Sequence, residues 1–385
     1  MQSINNVRLP CPRNELTSGQ LWRIEVDRQG IIRSICPEDL KPQSNQISWF
    51  GDWISPMGLD LQINGGLGIS FNKLSLKDIP KLFSLLDKLW IDGVEAICPT
   101  LITCEIKQLR TSLEVLGHAR SNHSEDRCQL LGAHIEGPFL NSEYKGAHPL
   151  GNICRPSVSE LKKRIKDYEE DIDLFTIAPE LPGAEEIISY LKKIGVIVCL
   201  GHSGADSREA QKAFDRGIKM LTHTFNAMPG LHHREPGPIG EALLNGRVAM
   251  GLIADGIHIH PNIVAIIQKI AAEQLVLVSD VVSPYGLLEG LHKWDERQIF
   301  VKNCQCRLQD GTLAGSTLSL LEGCKNLAEW TGQASSAIWS ATVAPRKILY
   351  ESQDLHQFLI GKPLKRLLRW KLDENSNSLS WQKAA

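Results

Sequence analysis

The chain has 385 residues, with 42 Lys and Arg against 44 Asp and Glu, a formal net charge of −2 when its 12 His are neutral. That balance excludes the basic excess of a general nucleic-acid or membrane-surface binder, and no apolar run reaches the roughly 18–20 residues of a spanning helix. At 42% hydrophobic and 22% charged, the composition is that of a globular protein, long enough for two domains or one α/β barrel with an appendage.

In chain order, residues 1–54 hold short alternating stretches, QLWRIEV (20–26) and GIIRSI (30–35), that read as strands. They lack the apolar core of a secretory signal. The 10 cysteines are spread along the chain, with only Cys304 and Cys306 close together. Reduced thiols and a cytoplasmic location are expected.

Eight runs then follow: GLDLQINGG (58–66), VEAICPT (94–100), LLGAHIEGP (130–138), LFTIAPE (174–180), VIVCLGHSG (196–204), MLTHTFNAM (220–228), VAMGLIADGIH (248–258) and LVLVSD (275–280). Each begins apolar, as a strand buried on both faces does, and ends in polar, Gly or Pro residues. Helical patterns separate most of them, among them 76–93, 183–195 and 207–217, each closed by Gly, the expected stop signal. Eight such alternations predict a (β/α)8 TIM barrel. The tail adds KRLLRWKL (365–372) and SLSWQ (378–382). The expected organisation is therefore a barrel over 55–342 and a small β-sandwich built from both chain ends, 1–54 and 343–385.

Polar chemistry gathers at the C-terminal ends of these runs, the rim where such barrels carry their active sites. Glu136, His202 and His223 each follow a buried run and together supply the three N/O ligands of a catalytic divalent-metal site. Separately, His202 could cap a helix and His223 could sit in the core. Asp280 closes LVLVSD; a carboxylate there is an acid/base group, a ligand or the N-cap of a following helix. His148 and His258 lie in loop-like segments where they could polarise a carbonyl or bind an anion. His260, just before Pro261, reads as the start of a helix. Arg234, in HHREPG, suits phosphate binding or a solvated loop. No nucleotide-binding glycine motif is present.

The ordered set GLDLQINGG, HIEGPFLN, KGAHP, APE, LGHSGA, THTFNAM, REPG, ADGIHIHP, LVSD and LAGSTL resembles the N-acetylglucosamine-6-phosphate deacetylase family of the amidohydrolase superfamily. The match runs from about residue 56 to about residue 320 in unbroken order. The resemblance implies hydrolysis of the N-acetyl group of a 6-phosphorylated amino sugar. It assigns Glu136, His202 and His223 to the metal, zinc first and iron or another divalent ion as alternatives, and Asp280 to acid/base work. Asn226, Ala227, Arg234 and His258 would hold the phosphate, with Ala147 and His148 beside it. Leu313, Ala314 and Gly315 would line the sugar or acetyl side. Where many amidohydrolases have His-x-His, this chain has Gln62-x-Asn64, so one metal per subunit is expected. A homodimer is implied, as are a small-molecule amino-sugar phosphate as ligand and no nucleic-acid or membrane partner. The family's usual Asn-Pro after the barrel and its Ala-Asp-Leu strand are missing; Val343-Ala344-Pro345 stands there instead.

Overall fold

The computed structural model describes residues 2–13, 19–38, 46–351, 353–373 and 375–385. Its centre is a ring of eight strands: β1 (Gly58–Ile63), β2 (Val94–Ile102), β3 (Ala133–Glu136), β4 (Ile172–Ile177), β5 (Ile197–Leu200), β6 (Met220–Leu221), β7 (Ala249–Leu252) and β8 (Leu275–Leu277). Each pairs in parallel with the next, from β1 through β8. The seam between β8 and β1 is stitched at and just beyond the strand ends. Asp280 N–H donates to Gln62 O (2.9 Å), and Asn64 N–H donates to Val281 O (2.8 Å). All eight sequence-predicted strands are present, in the expected order.

The apolar runs are explained by burial on both faces. Leu59, Leu61, Cys98, Leu174, Cys199, Met220 and Val276 pack together inside the ring. Their neighbours Ile97, Phe175, Val198 and Leu200 face the layer of helices. Those helices carry one apolar stripe each. In Ile79–Ile91 it is Leu82, Leu85, Leu86 and Leu89, the i, i+3, i+4, i+7 spacing of a single face. Helix Ser207–Arg216 opens on a reciprocal capping box between Asp206 and Glu209, and ends at Gly217 with φ of 114°, a left-handed conformation that favours glycine.

Both chain ends build the appended sheets. Strands Gln2–Val7, Trp22–Val26, Ile32–Pro37 and Gln46–Ser48 form one; Trp53–Pro56 pairs with Leu367–Asp373, itself paired with Ser378–Lys383, to form the other. Ile4, Val7, Ile24, Ile32, Trp49, Ile54, Leu359 and Leu367 fill the space between them. Helices Ala334–Thr342 and Ala344–Leu349 flank the expected 342/343 boundary. The second nevertheless closes the floor of the ring, where Ala344, Ile348 and Leu349 meet the inner residues. Arg346 there donates to Met57 O (2.8 Å) and pairs with Glu95. A further antiparallel sheet, Gly290–Lys293, Gln298–Lys302, Gln305–Leu308 and Leu313–Ser316, follows β8. It was not foreseen. No helix of the described residues is long and apolar enough to cross a membrane, and all ten cysteines are free thiols.

Candidate active site

A cavity of about 390 Å³ opens at the C-terminal rim of the ring. Of the thirteen residues singled out above for metal, catalysis or substrate, the fold brings twelve to its wall: Glu136, Ala147, His148, His202, His223, Asn226, Ala227, His258, Asp280, Leu313, Ala314 and Gly315. Arg234 is the exception. It lies exposed in the loop after β6, with Nη1 3.1 Å from His233 Nε2, and is not among the described residues lining this cavity.

The metal candidates converge because each sits at or just past a strand end. Glu136 is the last residue of β3; His202 and His223 follow β5 and β6 by two residues. His202 Nε2 and His223 Nε2 each lie 3.0 Å from Glu136 Oε1, and 3.1 Å from one another. Two ligands bound tetrahedrally at zinc-type bond lengths are about 3.3 Å apart, so this triangle matches the span of three ligands on one ion. His202 Nδ1–H donates to Tyr144 O at 2.8 Å, which turns the bare Nε2 inward, the orientation a metal ligand needs. The tie also shows that His202 is not a helix cap; Asp206 fills that role. His223 Nδ1 is buried without a partner among the described residues.

His148 is a fourth donor nearby. Its Nε2 is 3.8 Å from Glu136 Oε2, and Glu136, His148 and His202 also form a compact group of metal-capable atoms. The longer separation makes His223 the better third ligand. Nδ1 of His148 is 2.8 Å from Thr103 Oγ1. Burial, reinforced by the His202 ring, lowers the pKa of His148 to about 4, so its imidazole is neutral at physiological pH. Burial opposes charge on Glu136 as well, but the three imidazoles packed around it hold its carboxyl well below the usual range. Burial alone would lower His223; the adjoining carboxylate outweighs it and raises that ring.

Asp280 caps no helix. It follows β8 and is held by two amides, Asn64 Nδ2 at 2.7 Å and Gln62 Nε2 at 3.3 Å, both donating to Oδ1. Burial pushes its pKa up to about 6; Glu136 adds to this, while His223, His258 and the Asn64 amide oppose it. His258 Nδ1 donates to Asp255 Oδ2 at 2.6 Å, and Asp255 Oδ1 accepts the backbone N–H groups of Ile257 and His258. His260 accepts from Asn262 N–H at the start of helix Pro261–Ala271, the role expected of it. Several of these residues hold left-handed backbone: His202 (φ 49°), His223 (28°), Ala227 (52°) and Asp280 (49°). Such strain in non-glycine residues concentrates at functional sites.

Sequence reasoning missed Glu143, Tyr144, Trp294 and Thr312 on the cavity wall. Trp294 sits in the turn before Gln298–Lys302, whose burial alternates although its residues, QIFVK, do not, so no period-2 signal points to it. The segment from Ser142 to Tyr144 is one short helical turn, and nothing local announces it.

No family profile matches the chain. It is 34% identical over 366 residues to the N-acetylglucosamine-6-phosphate deacetylase of Caenorhabditis elegans, covering 90% of this chain and 87% of that protein. With the N-acetylgalactosamine-6-phosphate deacetylase of Escherichia coli O157:H7 it shares 33% identity over 325 residues, 83% of each. The crystal structure of N-acetylglucosamine-6-phosphate deacetylase from Thermotoga maritima superposes with a TM-score of 0.78 at 28% identity, over 100% of this chain and 98% of that one. With its metal-sized donor triangle, its amide-held carboxylate and likeness of this extent, the chain belongs to the N-acetylglucosamine-6-phosphate deacetylase family.

Proposed function

We propose that this protein hydrolyses the N-acetyl group of N-acetyl-D-glucosamine 6-phosphate, releasing acetate and D-glucosamine 6-phosphate for amino-sugar recycling. The observation that carries the reading is the convergence of Glu136, His202, His223 and Asp280 on one cavity. Glu136, His202 and His223 are assigned as holders of a single divalent ion, zinc first. When bound, that ion supplies Lewis-acid polarisation of the acetamide carbonyl and acidification of the attacking water. Asp280 takes the proton from that water as its oxygen attacks the carbonyl carbon. Neutral His148 donates a hydrogen bond on the carbonyl side, where charge develops. Asp280 then returns the proton to the nitrogen as the C–N bond breaks, and the amine and acetate leave.

The remaining wall residues position the sugar. Asn226, Ala227 and His258, the last oriented by Asp255, are assigned to the phosphate, and Leu313, Ala314 and Gly315 to the sugar or acetyl side. Holding a remote dianion can be used to place the acetamide for attack. Arg234 is assigned to the phosphate too. Its exposed place outside its own cavity supports delivery from the second copy of a homodimer. The ten free thiols favour a reducing compartment, the cytoplasm.

The test is acetate release by purified protein from N-acetylglucosamine 6-phosphate and its galactosamine epimer side by side, before and after chelation. Metal-dependent release, faster on the gluco epimer, is expected. Faster release on the galacto epimer, the substrate in the name of the E. coli relative, would move the assignment to it. Asp280→Asn should lower turnover by about three or more orders of magnitude with metal content intact, the scale on which acid/base groups act. Wild-type turnover in that variant removes Asp280 from the chemistry.

A further inference from the structure

Gln62 and Asn64 occupy the first-strand positions where a His-x-His pair would bind metal, and in this fold they are not vacant substitutes. Both amides turn their NH2 groups onto one atom, Asp280 Oδ1, at 3.3 and 2.7 Å. All three side chains are buried. An ionised carboxylate only accepts hydrogen bonds, so the charge on Asp280 dictates which end of each amide faces it. The consequence is on the far side: Gln62 Oε1 and Asn64 Oδ1 are buried without a hydrogen-bond partner among the described residues. Two orphaned acceptors in one site are an unusual cost. They are understandable if the donors opposite are worth more than the acceptors lost.

The backbone enforces the same pairing. The seam of the barrel runs through these residues, with Asp280 N–H on Gln62 O and Asn64 N–H on Val281 O. The carboxylate and its two clamps therefore move as one unit. Asp280 itself is held at a positive φ of 49°, a conformation that costs a non-glycine residue and needs outside support. Among the described residues no hydrogen bond reaches Asp280 Oδ2.

We infer that Gln62 and Asn64 are positioning residues: they pin Asp280 Oδ1 so that Oδ2 alone is presented to the cavity as the proton-carrying oxygen. The inference rests on the reading of Asp280 as the acid/base group and deepens it. Asn64 also lines the cavity, but its NH2, like that of Gln62, is spent on Asp280 Oδ1, so both amides act through Asp280. The shorter contact makes Asn64 the stronger clamp.

The test measures kcat, KM, metal content and Tm for Asn64→Ala, Asn64→Asp and Gln62→Ala beside Asp280→Asn. Losing a hydrogen bond to a charged group predicts a fall in kcat of about 10- to 100-fold for Asn64→Ala, with a smaller fall for Gln62→Ala. KM should stay within about twofold, because the donors removed are engaged with Asp280 and act on the chemical step rather than on uniform binding. Asn64→Asp keeps the shape of the side chain but puts an oxygen where the donor was, so its kcat should fall at least as far as that of Asn64→Ala. Metal content should match wild type in all three. Wild-type kcat in Asn64→Asp would show a space-filling role and overturn the inference. So would metal loss paralleling the loss of kcat, which would make these residues part of the metal site. If Asn64→Ala does not fold, Gln62→Ala, across the longer contact, carries the same comparison. A dead Asp280→Asn beside an active Asn64→Asp sinks the positioning role alone, whereas an active Asp280→Asn sinks the acid/base reading beneath it.

Discussion

Asp280 and Gly315 show how tightly single residues constrain the chemistry. As the proposed base, Asp280 must be ionised to accept a proton, and burial raises its pKa to about 6. A divalent cation held by the proposed ligands would draw it down again, since opposite charge favours the ionised form. The acid limb of the kcat/KM profile is therefore expected at about pH 6 or below, with activity lost as pH falls through it. A limb above pH 7 would contradict this. Gly315 lies at φ of +68°, and a Cβ there would stand 2.6 Å from Asp280 O and 2.7 Å from Val282 Cγ1. Gly315→Ala should lower kcat/KM by roughly tenfold or more, since misplacement on the order of 1 Å at a reacting group is that costly. Gly311, also at positive φ (+87°) but with nothing within 4 Å, is the control. Gly311→Ala carries only the backbone strain and should leave the kinetics near wild type.

Among the elements, the sheet formed from both chain ends holds the small domain together. Trp370 on Leu367–Asp373 is fully buried, and its Nε1–H donates to Ser55 Oγ (2.8 Å) on Trp53–Pro56. Trp370→Ala removes that bond and leaves a large cavity, with an expected loss of about 3–5 kcal/mol. Thermal or urea unfolding would read it, and an unchanged midpoint would refute the packing argument. The eight strands were legible because burial on both faces writes unbroken apolar runs into the sequence. The antiparallel sheet after β8 was not. Its first two strands alternate exposed and more buried residues, with Leu291 and Phe300 exposed, so no long apolar run marks it. It nonetheless delivers Leu313, Ala314 and Gly315 to the cavity.

Across the whole molecule, Glu136, His202 and His223 link β3, β5 and β6 at one rim. A divalent ion that binds this folded constellation and not the unfolded chain stabilises the fold by mass action. Chelation should lower Tm, and readdition of zinc should restore it. His223→Ala should show a smaller response to both. An identical Tm with and without chelator would argue against a structural coupling of metal and barrel.

The residue types needed for the chemistry, their order, and their place just past buried strands were all determined by the sequence, because strand ends are local features of apolar patterning. Which donors meet was decided only by closure of the ring. Glu136 and His223 are 87 positions apart yet 3.0 Å apart in space, and the Asn64 amide reaches across 216 positions to Asp280. Arg234 is the counterpart. Its sequence context resembles a phosphate site, but the tertiary structure leaves it exposed and outside its own cavity, since nothing in local patterning encodes which way a surface loop points. Distances between strand ends depend on how eight strands stagger around a barrel, a property of the assembled ring that no single segment contains.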